Sequence, residues 1–197
     1  MKNMFKVFGI ITLVAVIGFT MTACDDDGSD GNKKNGGGKI DYTANSVDEL
    51  ATWLEKQPGN AISSPYTVKL KVNDLTAFET IRTTLNKAGR YVYLDFSDSP
   101  LTTIPGNAFY GYNVPGSSNG CRPLTGITIP DSVTSIGYQA FYGCTSLTSV
   151  TFQGTISGEL NYSFYGLGDL YNKYTSGGIG TYKTTAPVGA NSVWTKQ

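Results

Sequence analysis

The stretch "VTSIGYQAFYG" at 133–143 repeats "LTTIPGNAFYG" at 101–111, and its last letters return as "SFYG" at 163–166. Phe141 and Phe164 stand 23 residues apart, as do Cys121 and Cys144, which open the matching segments "CRPLTGITI" and "CTSLTSVTF". Phe109 and Phe141 stand 32 apart, and the surplus of nine falls in the polar stretch "YNVPGSSNG" at 112–120. No other feature constrains the fold as tightly. A unit this short cannot bury its apolar face alone, so successive units must stack and share one core. The period also sets phase: residues 23 apart occupy equivalent places on neighbouring rungs, and 112–120 is a loop inserted into one of them.

Within a rung the apolar positions are Leu124, Ile127 and Ile129, then Val133, Ile136, Ala140, Phe141 and Cys144, with Leu147, Val150 and Phe152 opening the next. This pattern resembles the leucine-rich repeats of the BspA-like, treponemal type over about 91–166. The resemblance implies a solenoid whose function comes from a face, since repeats of this kind carry no catalytic machinery.

The flanks supply the rest of the stack. Ser46 and Glu49 form a capping-box signature ahead of Leu50, Ala51 and Leu54, which predicts a helix over 47–57 that ends before Pro58. Val68, Leu70 and Val72 alternate with Lys69 and Lys71, as do Val92, Leu94 and Phe96 with their neighbours, the period of half-buried strands. Between them Leu75, Phe78, Ile81 and Leu85 recur at helical spacing over 74–88, ahead of Gly89. Strand, helix and strand of this length form a βαβ unit with parallel strands. Leu70 and Leu94 are 24 residues apart, so 66–72, 91–96, 124–129 and 147–152 are expected to form one parallel sheet. "GDLYNKYTSGG", "IGTYKT" and "SVWTKQ" read as a short helix and a terminal hairpin, with Trp194 over the last rung. The expected fold class is α/β: a short leucine-rich-repeat solenoid with a parallel sheet, an N-terminal helical cap and a C-terminal helix and hairpin cap.

The N-terminus sets the expected compartment. Lys2 and Lys6 precede the apolar run "VFGIITLVAVIGF", and small residues lead to Cys24, the layout of a cleaved export signal. The junction resembles a bacterial lipoprotein signal, which implies lipidation of Cys24; Met21 stands where such signals usually carry leucine. Removing 1–23 takes away two lysines and no acid from a chain with 15 basic and 15 acidic residues, and leaves a charge of −2. "DDDGSDGNKKNGGGK" follows without one apolar side chain, a composition that cannot repay its ordering entropy and so reads as a tether. Asp25, Asp27 and Asp30 imitate the start of a calcium loop, but no glutamate closes it. The domains expected are therefore a signal (1–23), a tether (24–39), an N-terminal cap (40–90), repeats (91–166) and a C-terminal cap (167–197).

Composition narrows the chemistry. The absence of histidine removes the commonest general base and metal ligand, and the balanced charge offers no footprint for nucleic acid. No cofactor and no metal is expected. With Leu94, Ile127 and Val150 directed inward, alternation places Tyr93, Gly126 and Ser149, then Asp95, Thr128 and Thr151, on the open sheet face, and Lys69 and Lys71 extend it. That face reads either as a solvated sheet or as a protein- or glycan-binding patch. The inserted loop, with Tyr112, Asn113 and Asn119, is the second candidate.

Cys121 and Cys144 share a phase, so their backbones should lie one strand spacing apart, ~4.7–4.9 Å. A disulfide allows that separation and export permits oxidation. Side chains on stacked rungs point in parallel, however, and the resemblance implies a buried cysteine there, so two buried thiols are weighed ahead of a disulfide. A reactive thiol would lack a base.

The resemblance implies a surface-displayed lipoprotein that binds host matrix proteins, other cells or glycans, exported and lipid-anchored at the outer membrane or cell surface. A periplasm-facing structural or assembly lipoprotein is the alternative. A carboxylate-based glycosidase using Glu159 and Asp169 is the third, although nothing pairs these two by spacing.

Overall fold

The computed structural model describes residues 39–110, 120–158, 160 and 162–197. The expected export signal, Cys24, the tether as far as 38 with Asp25, Asp27 and Asp30, the loop residues Tyr112, Asn113 and Asn119, and Glu159 lie outside the described residues.

The chain runs β1 (Tyr42–Ala44), α1 (Val47–Glu55), β2 (Tyr66–Leu70), α2 (Ala77–Ala88), β3 (Val92–Asp95) and β4 (Thr103–Ile104). It continues through β5 (Leu124–Ile129), β6 (Ser135–Ile136), β7 (Ser149–Phe152), α3 (Leu170–Gly177), β8 (Gly180–Lys183) and β9 (Thr195–Lys196). Among the described residues, seven strands form one sheet in the order β1-β2-β3-β5-β7-β8-β9, and β4 pairs with β6 in a second. The pairings from β1 to β7 are parallel, whereas β7–β8 and β8–β9 are antiparallel. The protein is therefore a mixed α/β fold around a mostly parallel sheet.

The repeat period sets the register from β5 to β7, where Ile127 and Val150 are 23 residues apart. On β2, however, Val68 rather than Leu70 lies beside Leu94, because the β2–β3 connection through α2 does not keep the repeat length. Val68, Leu94, Ile127 and Val150 lie side by side across four strands, and each is fully buried. Burying one such side chain stabilises by about 1.5–3 kcal/mol. Opposite them the turns supply a second row: Phe109 stacks on Phe141 at 5.4 Å between ring centroids, and Phe141 stacks on Phe164 at 6.0 Å. Phe78 of α2 meets Phe109 edge-on at 5.7 Å, and Phe164 meets Phe152 of β7 in the same way at 5.8 Å. One aromatic column thus ties helix, turns and sheet together. Trp194 is fully buried beside the last rung and donates its indole N–H to Leu167 O.

Several elements differ from the sequence expectation, each for a local reason. α2 begins at Ala77 rather than 74, because the Asp74 carboxylate accepts the Thr76 N–H at 2.9 Å and holds a turn there. Leu75 consequently leaves the apolar face and is 43 % exposed. α1 ends at Glu55 rather than 57, since the Gln57 N–H turns back to Leu54 O at 3.1 Å. Its N-terminus has the Ser46 Oγ accepting from Glu49 N, while the Glu49 carboxylate reaches the N–H of Asn45 instead of that of Ser46. The sheet strands are shorter than expected: 66–72 contracts to Tyr66–Leu70, 91–96 to Val92–Asp95 and 147–152 to Ser149–Phe152. The sequence placed α1 alone over the first rung. Instead β1 precedes it and pairs with β2, so α1 is a crossover between parallel strands.

A bulge at Val92/Tyr93 explains the uneven spacing of Leu124 and Ile127. Val92 pairs with Leu124 and Tyr93 with Gly126, which leaves Thr125 as the extra residue. Its hydroxyl donates to Val92 O at 3.1 Å. Both Leu124 and Ile127 can therefore face the core.

Candidate functional site

Two rows of side chains stand on the sheet face opposite Leu94, Ile127 and Val150. Register aligns Thr67, Tyr93, Gly126, Ser149 and Lys183 in one row and Thr43, Lys69, Asp95, Thr128, Thr151 and Thr181 in the other. The candidate residues Tyr93, Ser149, Lys69, Asp95, Thr128 and Thr151 are thus brought together as alternation predicts. Lys71 lies just beyond β2, exposed, with its N–H on Ala44 O at 3.1 Å.

The two ends of this face differ. Toward β7 the surface is closed by its own side chains, because Gly126 leaves room for the Tyr93 ring to lie across it; a β-carbon at 126 would collide with Tyr93 Cδ2 and Cε2. The Tyr93 hydroxyl then sits 2.9 Å from Thr128 Oγ1 and 3.2 Å from Thr151 Oγ1, and Thr151 Oγ1 sits 2.9 Å from Thr181 Oγ1. Tyr93, Thr128, Ser149 and Thr151 are only 8, 5, 9 and 7 % exposed. Burial raises the Tyr93 phenol above its usual range, and the two threonine hydrogen bonds offset part of that rise. Toward β2 the face is charged and wetter. Lys69 Nζ pairs with Asp98 at 2.7 Å, and the Asp95 carboxylate accepts the Ser97 N–H at 2.9 Å.

A second surface was not read from the sequence. The same turns that send Phe109, Phe141 and Phe164 inward send the next residue outward. Tyr110 and Tyr142 meet at 5.3 Å, and Tyr142 stacks on Tyr165 at 5.5 Å with the planes 23° apart. Beside them Tyr138 and Tyr162 meet at 5.6 Å. Tyr138, Tyr162 and Tyr165 are 57, 59 and 53 % exposed. The signal was present in "AFYG", "AFYG" and "SFYG": a tyrosine in constant phase after each core phenylalanine.

Reactive chemistry is sparse. Cys121 and Cys144 are free, buried thiols, and Cys144 Sγ donates to Phe109 O at 3.6 Å. Burial holds the Cys121 thiol well above its usual range, with Cys144 beside it adding to the effect, and pushes Cys144 up to about 12. Neither is a nucleophile at neutral pH. Asp169 accepts the Trp194 N–H at 2.7 Å and stands 3.7 Å from Lys173 Nζ, a structural post at the foot of α3. Among the described residues no three or more acidic or cysteine side chains gather to hold a metal, and no helix is long and apolar enough to cross a membrane.

Residues 102–184 match the BspA type leucine rich repeat region in six copies. That part of the chain is a BspA-type leucine-rich repeat region, and repeats that stack in this way act generally as interaction surfaces. No curated protein and no solved structure matches the chain.

Proposed function

We propose that this chain is a non-catalytic binding module, a short solenoid displayed on a bacterial cell by lipid carried on Cys24. The observation that carries the reading is the repeat region itself, together with the way its polar groups are used. Tyr93, Thr128, Thr151 and Thr181 satisfy one another, the cysteines are sealed, and Asp169 is committed to Trp194. What remains for solvent is surface for recognition. In this reading α1 with β1 closes one end of the stack, and α3, β8 and β9 close the other.

The sheet face is one candidate contact. Lys69, Lys71 and Asp95 would meet a ligand directly, and the hydroxyls of Thr128, Ser149 and Thr151 with Tyr93 would give the patch its floor; the inserted loop with Tyr112, Asn113 and Asn119 is the second candidate contact. Such a charged rim tunes association rate more than affinity.

Two experiments test the proposal. Growth with radiolabelled palmitate should label the protein, and Cys24→Ala should abolish the label and release the chain from the membrane fraction; an unlabelled, soluble wild-type chain would contradict the anchor. Whole-cell crosslinking should recover extracellular ligands. Recovery of envelope proteins alone would favour the periplasm-facing structural role instead.

A further inference from the structure

We infer that the tyrosine ridge at the turns, rather than the sheet face, is where this molecule meets a polypeptide, and that the segment it takes is extended and uncharged. The inference rests on the binding-module reading and names its surface. Exposed large aromatics are unusual when they are grouped, and here they recur in phase with the repeat. Tyr138, Tyr162 and Tyr165 each leave more than half of their surface open. Their positions are fixed by the stack beneath: Asn107 N bonds Tyr138 O, Phe109 N bonds Ala140 O, and Gln139 N bonds Tyr162 O, at 2.7 to 3.0 Å. A ring already ordered by its neighbours loses little freedom on binding, which is how tyrosine-rich recognition surfaces gain affinity.

The ridge also constrains what covers it. Residues 105–110, 137–143 and 162–168 contain no Asp, Glu, Lys or Arg, and Arg82, which donates to Asn107 O at 3.1 Å, is paired with Glu79 at 3.6 Å, so a charged partner would find little to offset its lost hydration. A sugar ring binds flat on an aromatic face. Tyr142 and Tyr165 stack at 5.5 Å with planes 23° apart and so cover one face of each other, while Tyr110 meets Tyr142 at 63° and Tyr138 meets Tyr162 at 50°, so that the ridge presents edges and faces in turn rather than one flat platform. Tyr142 is flanked on both sides, by Tyr110 and by Tyr165. The hydroxyls of Tyr138, Tyr142, Tyr162 and Tyr165 make no hydrogen bond within the described residues. Each phenol can donate and accept, which suits the alternating carbonyl and N–H groups of a polypeptide backbone. The column from Tyr110 to Tyr165 spans about three residues of extended chain at ~3.3 Å each.

The test uses the purified chain and a phage-displayed library of short linear peptides. Selected peptides are then measured against wild type, Tyr142→Ser/Tyr165→Ser, Tyr165→Phe and Lys69→Glu/Lys71→Glu, with a neutral-glycan array alongside. The expected peptides lack charged residues and bind equally at low and high salt. The double tyrosine variant weakens them by at least ~10-fold, as loss of a tyrosine hot spot does. Tyr165→Phe, which keeps the ring and loses only the hydroxyl, produces a smaller loss, and the lysine variant produces none. Peptides that ignore the tyrosine variants but respond to the lysine variant would overturn the ridge while leaving the module intact. Selection of no peptide at all would overturn both readings. Glycans retained by wild type and lost by the tyrosine variants would overturn the polypeptide assignment.

Discussion

Gly126 is where a single missing side chain decides the character of the sheet face. Its bare Cα lets the Tyr93 ring lie down and reach Thr128 and Thr151. Gly126→Ala is therefore expected to lower stability by about 1–3 kcal/mol, as overpacking does, read as a lower urea midpoint. Gly59→Ala is the control. Nothing lies within 4 Å of a β-carbon there, so its midpoint should hold or rise slightly.

The buried thiols give a second test at this scale. Cys144 is raised from 9.0 to about 12 and Cys121 is raised as well, so between those values the folded state holds protons that the unfolded state has lost. The Cys144 contribution is fully present below pH 9 and is lost as pH climbs toward 12, and Cys121 acts in the same direction. Stability should fall over that window by up to about 1.4 kcal/mol per pH unit for each thiol. The raised phenol of Tyr93 acts in the same direction. Cys144→Ala should flatten the slope, and a slope unchanged by that variant would contradict the assignment.

At the scale of elements, each turn does two jobs with adjacent residues. Phe141 is fully buried between Phe109 and Phe164, so Phe141→Ala should cost about 3–5 kcal/mol, a large part of what a domain possesses. Tyr142→Ala, one position on and facing out, should shift the thermal midpoint far less. Equal losses would mean that the tyrosine columns serve the fold rather than a partner.

How much of this was legible follows from the same residues. Ile127 and Val150 announced their register because 23-residue phase and two-residue alternation agree on them, whereas Leu94 stands 33 residues before Ile127, the nine-residue insertion and the bulged Thr125 making up the difference. β1 was invisible because three residues are too few to alternate, and β4 and β6 because two are fewer still. The Thr125 bulge needed the partner strand to be seen. Alternation places the side chains of the candidate face in neighbouring rows, but their closure depends on how the Tyr93 ring lies across Gly126, which no periodicity encodes. The tyrosine ridge could have been found. Its tyrosines follow the core phenylalanine of each repeat in constant phase.

For the whole molecule, we propose that lipid on Cys24 and the polar stretch after it display the repeat region at 102–184 outside the cell. The exposed tyrosines at its turns fit such display toward a partner outside the cell. Protease treatment of intact cells, followed by immunoblotting of this chain, tests that claim most directly. Surface display predicts that the protein is digested while the envelope stays closed and a periplasmic marker survives. Full resistance until the envelope is broken would contradict it.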